Sequence, residues 1–348
     1  MKASFYVGNR KFEIQEIPVP VIEPEDVLIK MLACGVCGTD VHKAIHGTVA
    51  PPIVLGHEVS GIVVEVGNAV SKFSVGDHVA VAHHAPCMVC SACLKNHHSL
   101  CSQYLQTNII PGGFSEYIRL PRDNVQKTVY KIPHTLNLED AAFMEPLACC
   151  LRGFECGNFH AGDNVLILGA GPIGLLHLQI AQVMNAGWVG LTDLNTWRLE
   201  KALELGASAV YNAHEDISTL IVKDLGLPQI DLIIVCVGVK SAYSTALNLV
   251  GTGGTIIFFS EVPSGSELLL DPNLIYKKEV TIVGSYSSSP PFLAKAIRLI
   301  QNQKIQPSHL VTHRFPLDQV QEAIELAHQA GQSLKTMISP FMCDSKKK

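Results

Sequence analysis

The sequence predicts an α/β protein in two parts, a β-rich region followed by a doubly wound parallel sheet. Three observations carry this. Short β-branched runs separated by glycine turns fill the first 150 residues. Apolar strands then alternate with helical patterns from Gly162 onward. A glycine-rich turn sits between a strand and a helix where that alternation begins.

In chain order, Met1–Phe5 leads into strand-like sequence, and Phe12–Ile17, Val27–Leu32 and Val59–Val66 read as strands. Gly67-Asn68 and Gly76-Asp77 are turns, after which Val79–Ala82 returns as strand. Beyond Gly162 the strands are expected at 165–169, 188–193, 209–212, 231–237, 254–260 and 279–284. Helical patterns at Leu194–Leu205, ended by Gly206, and at Ser241–Leu249, ended by Gly251, lie between them. After Ser287-Ser-Ser-Pro-Pro291 come two more helical patterns, Phe292–Gln301 and Leu317–Gln329, and the strand-like Lys335–Ile338. Asp344–Lys348 reads as a solvated tail, and no internal repeat is visible.

The glycine turn is Gly169-Ala-Gly171-Pro172-Ile173-Gly174, directly after the apolar Val165–Leu168. Strand, tight turn and helix in this order form a dinucleotide site. Gly169 permits the turn, Gly171 lets the backbone approach a pyrophosphate, and Gly174 allows close helix–strand packing. The N-terminus of the helix that starts with Pro172 and Ile173 offers free N–H groups and a positive dipole end to the anion. Asp193 closes the next strand, 19 residues after Gly174 (193 − 174), where a ribose-binding acid is expected.

Two constellations carry metal chemistry. Cys87-x2-Cys90-x2-Cys93-x7-Cys101 places four thiols in one loop-like stretch, which suits a closed tetrahedral zinc site of structural type. The second is dispersed: Cys37, Thr39, Asp40 and His42, then His57-Glu58, then Glu145-Pro146. Thiolate and imidazole suit zinc, and three protein ligands leave a position open for substrate or water. Open-site zinc polarises an alcohol oxygen and stabilises the alkoxide from which hydride leaves.

Composition bounds the function. With 348 residues there is room for two ordinary domains. Net charge is −5, so no basic field invites nucleic acid or an anionic membrane. The longest apolar runs fall short of the 18 or so residues of a spanning helix. Eleven cysteines without a secretory h-region point to reduced thiols, metal sites and a cytoplasmic setting.

The motifs together resemble the zinc-dependent medium-chain dehydrogenases of the alcohol dehydrogenase superfamily. The matching pieces are Cys-Gly-Val-Cys-Gly-Thr-Asp-Val-His (34–42), Gly-His-Glu-x-x-Gly (56–61), Val-Gly-Asp-His-Val (75–79), the four-cysteine lobe, Gly-Gly-Phe-Ser-Glu-Tyr (112–117) and Gly169–Gly174. Met144–Cys149 is similar to the sorbitol (polyol) and threonine dehydrogenase branches. The resemblance implies a GroES-like catalytic domain (1–152 and 291–348) with a Rossmann domain (153–290), and a nicotinamide in the cleft between them. It implies two Zn2+ per chain, one structural and one catalytic, with Cys37, His57 and Glu58 as ligands of the catalytic ion. Glu145 would be a direct ligand or the partner of a metal-bound water. Thr39 would take the substrate proton, His42 would pass it to solvent through the ribose, and Asp40 would orient His57. Helix-start capping is the plainer role for Thr39.

Two departures bear on substrate and cofactor. His57 follows His42 by only 15 positions (57 − 42), with Lys43 to Gly56 between them, which trims part of the expected pocket rim. Arg198 follows Asp193 and is a candidate reader of a 2′-phosphate, but the charge of Asp193 would repel that group, so NAD is expected. The expected activity is oxidation of a polyol or other secondary alcohol, with L-threonine 3-dehydrogenase-like oxidation as the alternative. A non-catalytic dinucleotide-binding scaffold is the reading from another class. A homo-oligomer, dimer or tetramer, is expected, with 254–260 and 279–284 as edges for pairing.

Overall fold

The computed structural model describes residues 1–226 and 229–340, and the expected tail at 344–348 lies outside them. Contacts divide the chain into two units, Met1–Ala148 with the segment from Ser288, and Cys149–Ser287.

In the first unit a seven-stranded sheet is ordered Val311–Phe315, Lys335–Ile338, Val27–Gly35, Glu58–Val66, His78–Ala82, Val129–Ile132, with Tyr117–Leu120 also pairing Val27–Gly35. A three-stranded sheet joins Lys11–Glu16, Lys2–Gly8 and Ile53–Val54. Alternating apolar residues explain the core: Val27, Ile29 and Met31 on one strand meet Val59 and Val63 on its neighbour, all fully buried. The C-terminal strand Lys335–Ile338 pairs antiparallel with the end of Val27–Gly35, bringing Met337 opposite Gly35 and Ile338 opposite Cys34.

In the second unit, among the described residues, six parallel strands are ordered Ala209–Asn212, Trp188–Asp193, Asn164–Leu168, Ile230–Val235, Val250–Phe258, Thr281–Gly284. This is a doubly wound sheet whose order reverses at Asn164–Leu168. That strand reads as a continuous apolar run because helices cover both faces.

Several element bounds differ from the sequence expectation, and two of them have a clear physical cause. The strand expected at 254–260 is Val250–Phe258 and begins as the preceding helix, Lys240–Leu249, ends. Val250 pairs with Ile230, and Gly251 and Gly254 lie against that residue's backbone, so these glycines permit close strand approach rather than stopping a helix. The helix expected from Leu194 begins at Thr196, because the Asn195 side chain accepts the Arg198 N–H as its cap. No helix of the described residues is long and apolar enough to cross a membrane.

One buried group sets an expected pH response. His177, on the helix Pro172–Val183, is fully buried between Phe154 and Phe259, and neither ring nitrogen has a hydrogen-bond partner among the described residues. Burial lowers its pKa from 6.5 to about 3. Between those values the unfolded chain binds the extra proton. Stability is therefore full above about pH 6.5 and falls as pH drops toward 3, by up to roughly 1.4 kcal/mol per unit from this group. His177→Leu is expected to flatten that slope in denaturant titrations at pH 7 and pH 5, and to be neutral or stabilising at pH 7. An unchanged slope would assign the acid sensitivity elsewhere.

Candidate active site and cofactor turn

Cys37 closes the strand-to-helix corner ahead of Gly38–His46 as its N-cap. Its sulfur accepts the Thr39 N–H at 3.5 Å, while Asp40 Oδ2 accepts the Cys37 N–H at 3.1 Å. The cap is thus Cys37, and Thr39 lies inside the first turn with its hydroxyl 3.7 Å from the Cys37 sulfur. His57 precedes the strand Glu58–Val66, and Gly56 before it holds φ +84°, with no room for a Cβ against Phe114 and Cys34. The ligand atoms of Cys37, His57 and Glu58 all lie within 4.8 Å of one another.

The electrostatics favour a cation there. Asp40, 1% exposed, sits 3.3 Å from His57 Nδ1 and also accepts the Gly56 N–H. Burial opposes ionisation of Asp40 most, but His57 and the two amides outweigh it and hold the carboxyl below its usual range. Burial likewise works against a charged His57, yet Asp40 and Cys37 raise it well above an ordinary histidine. The negative field that would protonate His57 is the field that attracts a metal ion. Glu58 is 1% exposed, and neither of its carboxylate oxygens has a hydrogen-bond partner among the described residues, which fits a ligand to a cation. A sulfur, nitrogen and oxygen donor set with no fourth protein ligand in the group among the described residues fits open-site zinc.

Glu145 lies outside that set. It is buried in the first turn of the helix Met144–Cys156, and Oε1 accepts the Ser288 hydroxyl at 3.5 Å. His42 is on the exposed part of its helix, with its ring 4.7 Å from that of His46.

Cys87, Cys90, Cys93 and Cys101 also converge, with ligand atoms within 4.8 Å of one another. The Val89 and Cys90 amides donate to the Cys87 sulfur at 3.5 and 3.3 Å, and the Cys87 amide to Cys101 at 3.4 Å. These amides lower the Cys87 pKa; at Cys101 burial works the other way, but the Cys87 and Tyr104 amides prevail. Four converging thiols, with amide donors turned toward Cys87 and Cys101, fit a closed zinc lobe.

In the second unit Gly169 adopts φ +111°, and a Cβ on Gly174 would fall 1.8 Å from the Gly169 carbonyl, so the turn tolerates only glycine there. Gly171 is the N-cap and Pro172 the first helical residue, and no side chain caps the amides of Ile173 and its neighbours. Asp193 Oδ2 accepts the Ala170 N–H at 2.8 Å, tying the end of its strand to the glycine turn. Arg198 also reaches the turn, its Nη1 3.6 Å from where a Gly171 Cβ would be. Burial lowers its pKa and Asp193 opposes that.

Sequence reasoning did not single out Lys335 or His83. Lys335, 4% exposed, forms an ion pair with Glu58 Oε2. The His83 ring lies 4.5 Å from His57 and 3.8 Å from His84. For His83 the available signal was a histidine pair just before the lobe; Lys335 opens a strand of mixed composition, Lys-Thr-Met-Ile, which carries no such signal.

The chain matches the alcohol dehydrogenase GroES-like domain over residues 23–134 and the zinc-binding dehydrogenase domain over 172–302. It is 34% identical to a sorbitol dehydrogenase of Bacillus subtilis (strain 168), covering 98% of this chain and 97% of that one. It is 34% identical to an L-threonine 3-dehydrogenase of Chelativorans sp. (strain BNC1), covering 93% and 94%. A zinc-binding dehydrogenase structure from Sinorhizobium meliloti 1021, bound to NADP, superposes with TM-score 0.89 at 32% identity, covering 97% and 99%. The chain belongs to the zinc-binding dehydrogenase family. Within it, the chain is an oxidoreductase of the zinc-dependent alcohol and polyol dehydrogenase type.

The two cysteine-containing sites are expected to respond differently to mutation. Cys93→Ser should lower zinc content by one ion per chain and reduce thermal stability or solubility, because structural zinc binding is folding free energy. Cys37→Ser should also lose one ion but leave the fold largely intact while abolishing turnover. Metal analysis alongside thermal unfolding checks both, and equal, normal stabilities would refute the division.

Proposed function

We propose that this enzyme oxidises a polyol or other secondary alcohol with NAD, in the manner of a sorbitol dehydrogenase. The observation that carries the reading is the convergence of Cys37, His57 and Glu58, with no fourth protein ligand in the group among the described residues. Zinc bound there would supply Lewis acidity to the substrate hydroxyl. The chain supplies the proton route. Thr39 projects from the helix turn that Cys37 caps, its hydroxyl 3.7 Å from the ligand sulfur. His42 follows three residues on, one turn along the same helix face, where it is exposed to water. A threonine hydroxyl is too weak a base to keep the proton, so it relays it, and His42 exchanges it with solvent.

Glu145, outside the ligand group, is assigned the role of partner to a metal-bound water, and Asp40 that of fixing the His57 ring. Cys87, Cys90, Cys93 and Cys101 are assigned to the second, structural ion. Gly169, Gly171, Pro172, Ile173 and Gly174 are assigned to the pyrophosphate, and Asp193 to the adenosine ribose. Both Asp193 oxygens already accept an amide, from Ala170 and Asn195, and each retains a lone pair for a ribose hydroxyl. A cytoplasmic homo-oligomer is proposed, using the sheet edge at Thr281–Gly284. Oxidation of threonine is the second reading, favoured by the L-threonine 3-dehydrogenase relative. NADH formation across sugars, polyols, threonine and simple secondary alcohols separates the two.

Two outcomes follow from these assignments. NAD should exceed NADP in kcat/KM, and Asp193→Ala should narrow the preference chiefly through the cofactor KM; a wild-type preference for NADP would transfer the role to Arg198. His42→Ala should slow turnover at neutral pH by about 10-fold or more, with partial recovery at high pH or with an added small base. Thr39→Ala should be slower still and not recover. Full neutral-pH activity of His42→Ala, with an unshifted pH profile, would eliminate the relay.

A further inference from the structure

The two oxygens of Glu58 keep different company. Neither oxygen has a hydrogen-bond partner of good geometry among the described residues, but Oε2 forms an ion pair with the ammonium of Lys335, which leaves Oε1 with no partner of either kind. Both side chains are nearly inaccessible, 1% and 5% exposed, so neither charge can be satisfied by bulk water. The approach has a dedicated space. Gly35, which pairs with Glu58 across the sheet, would place a Cβ 2.0 Å from Glu58 Oε2 and 2.7 Å from Lys335 Cε. Any larger residue at 35 would displace the pair. Lys335 also packs over Phe143, 5.7 Å from the ring centre, and its charge is felt by Cys37 and Asp40. Three acidic groups, Cys37, Asp40 and Glu58, thus surround one histidine and share a single buried lysine.

We propose that Lys335 is a positioning residue, the protein's own counter-ion for Glu58, with two opposed effects on metal binding. Before metal binds, it keeps the carboxylate buried and aimed beside Cys37 and His57, where an unpaired carboxylate would be strongly destabilising. Once a divalent cation arrives, the ammonium repels it across a short, poorly screened distance and so weakens its hold. The site is preformed at the expense of affinity. This rests on the assignment of Cys37, His57 and Glu58 as the ligand set.

The probe is Co2+, whose thiolate-ligated absorption reports site occupancy without turnover, titrated against a competing chelator. The catalytic-site signal is the part lost in Cys37→Ser. Lys335→Met is expected to lower the thermal stability of the metal-free protein. It should also raise Co2+ affinity at the catalytic site by about 10-fold or more, widening the stability gap between loaded and metal-free forms. Lys335→Gln, which keeps a hydrogen-bond donor but not the charge, must show the same rise, and Lys335→Arg must restore near-native affinity. Unchanged or weaker affinity in both neutral variants overturns the proposal, provided Cys37→Ser and Glu58→Gln weaken binding. If those two bind Co2+ as tightly as the wild type, the ligand assignment itself is wrong.

Discussion

Two buried carboxylates, Asp40 and Glu58, constrain how the first unit is assembled around Cys37 and His57. Neither can be buried unpartnered, so each draws distant pieces of chain to one point. Asp40 receives the Cys37 amide from the helix start, the Gly56 amide from the loop before a strand, and the His57 ring. Glu58 takes Lys335 from the last strand. The glycines nearby follow from this. A Cβ at 35 would meet the Glu58–Lys335 pair, and one at 56 or 113 would meet Cys34 and its surroundings. Two carboxylates can be buried together beside Cys37 and His57 because backbone amides and one lysine have been brought within reach.

In the second unit one acidic residue has two functions. Asp193 accepts the Ala170 N–H within the glycine turn and the Asn195 N–H at the start of the next helix. It therefore fixes the spacing between the first two strand ends as well as offering its remaining lone pairs outward. Arg198 sits on the following helix with its guanidinium over the same turn. An acid and a base thus share this strand end, and its local charge is set by the two together rather than by either residue alone.

What could be read from the sequence follows from how each feature is encoded. The glycine turn, the acid 19 residues on and the four-cysteine run are set by short-range spacing, and the structure brings each together. The parallel strands were legible because strands buried on both faces must be continuously apolar. Start points were less so. Val250 begins a strand because Ile230 lies beside it, and Thr196 begins a helix because Asn195 caps it. Cys37 as a helix cap is a tertiary fact too, since cysteine has little intrinsic capping preference. Lys335 was invisible for the same reason: nothing local distinguishes a lysine that opens a strand from one that enters the core to meet an acid.

The histidines that spacing did not reveal join the two metal-binding groups of the first unit. His57 contacts His83, His83 contacts His84, and His84 lies 5.0 Å from Tyr104 and bonds to the Thr107 carbonyl. Tyr104 and Thr107 belong to the stretch that follows Cys101, and Tyr104 packs in the same small cluster as Cys93 and Cys101. That cluster has few apolar residues of its own, so its order depends on whatever holds the four thiols together. Burial, then the neighbouring charges of His57, His84 and Lys43, keep His83 neutral, and burial likewise holds His84 at about 4. Uncharged rings can stack against the His57 imidazole without competing for its field. The cysteine lobe therefore reaches the Cys37, His57 and Glu58 group through a run of ring contacts.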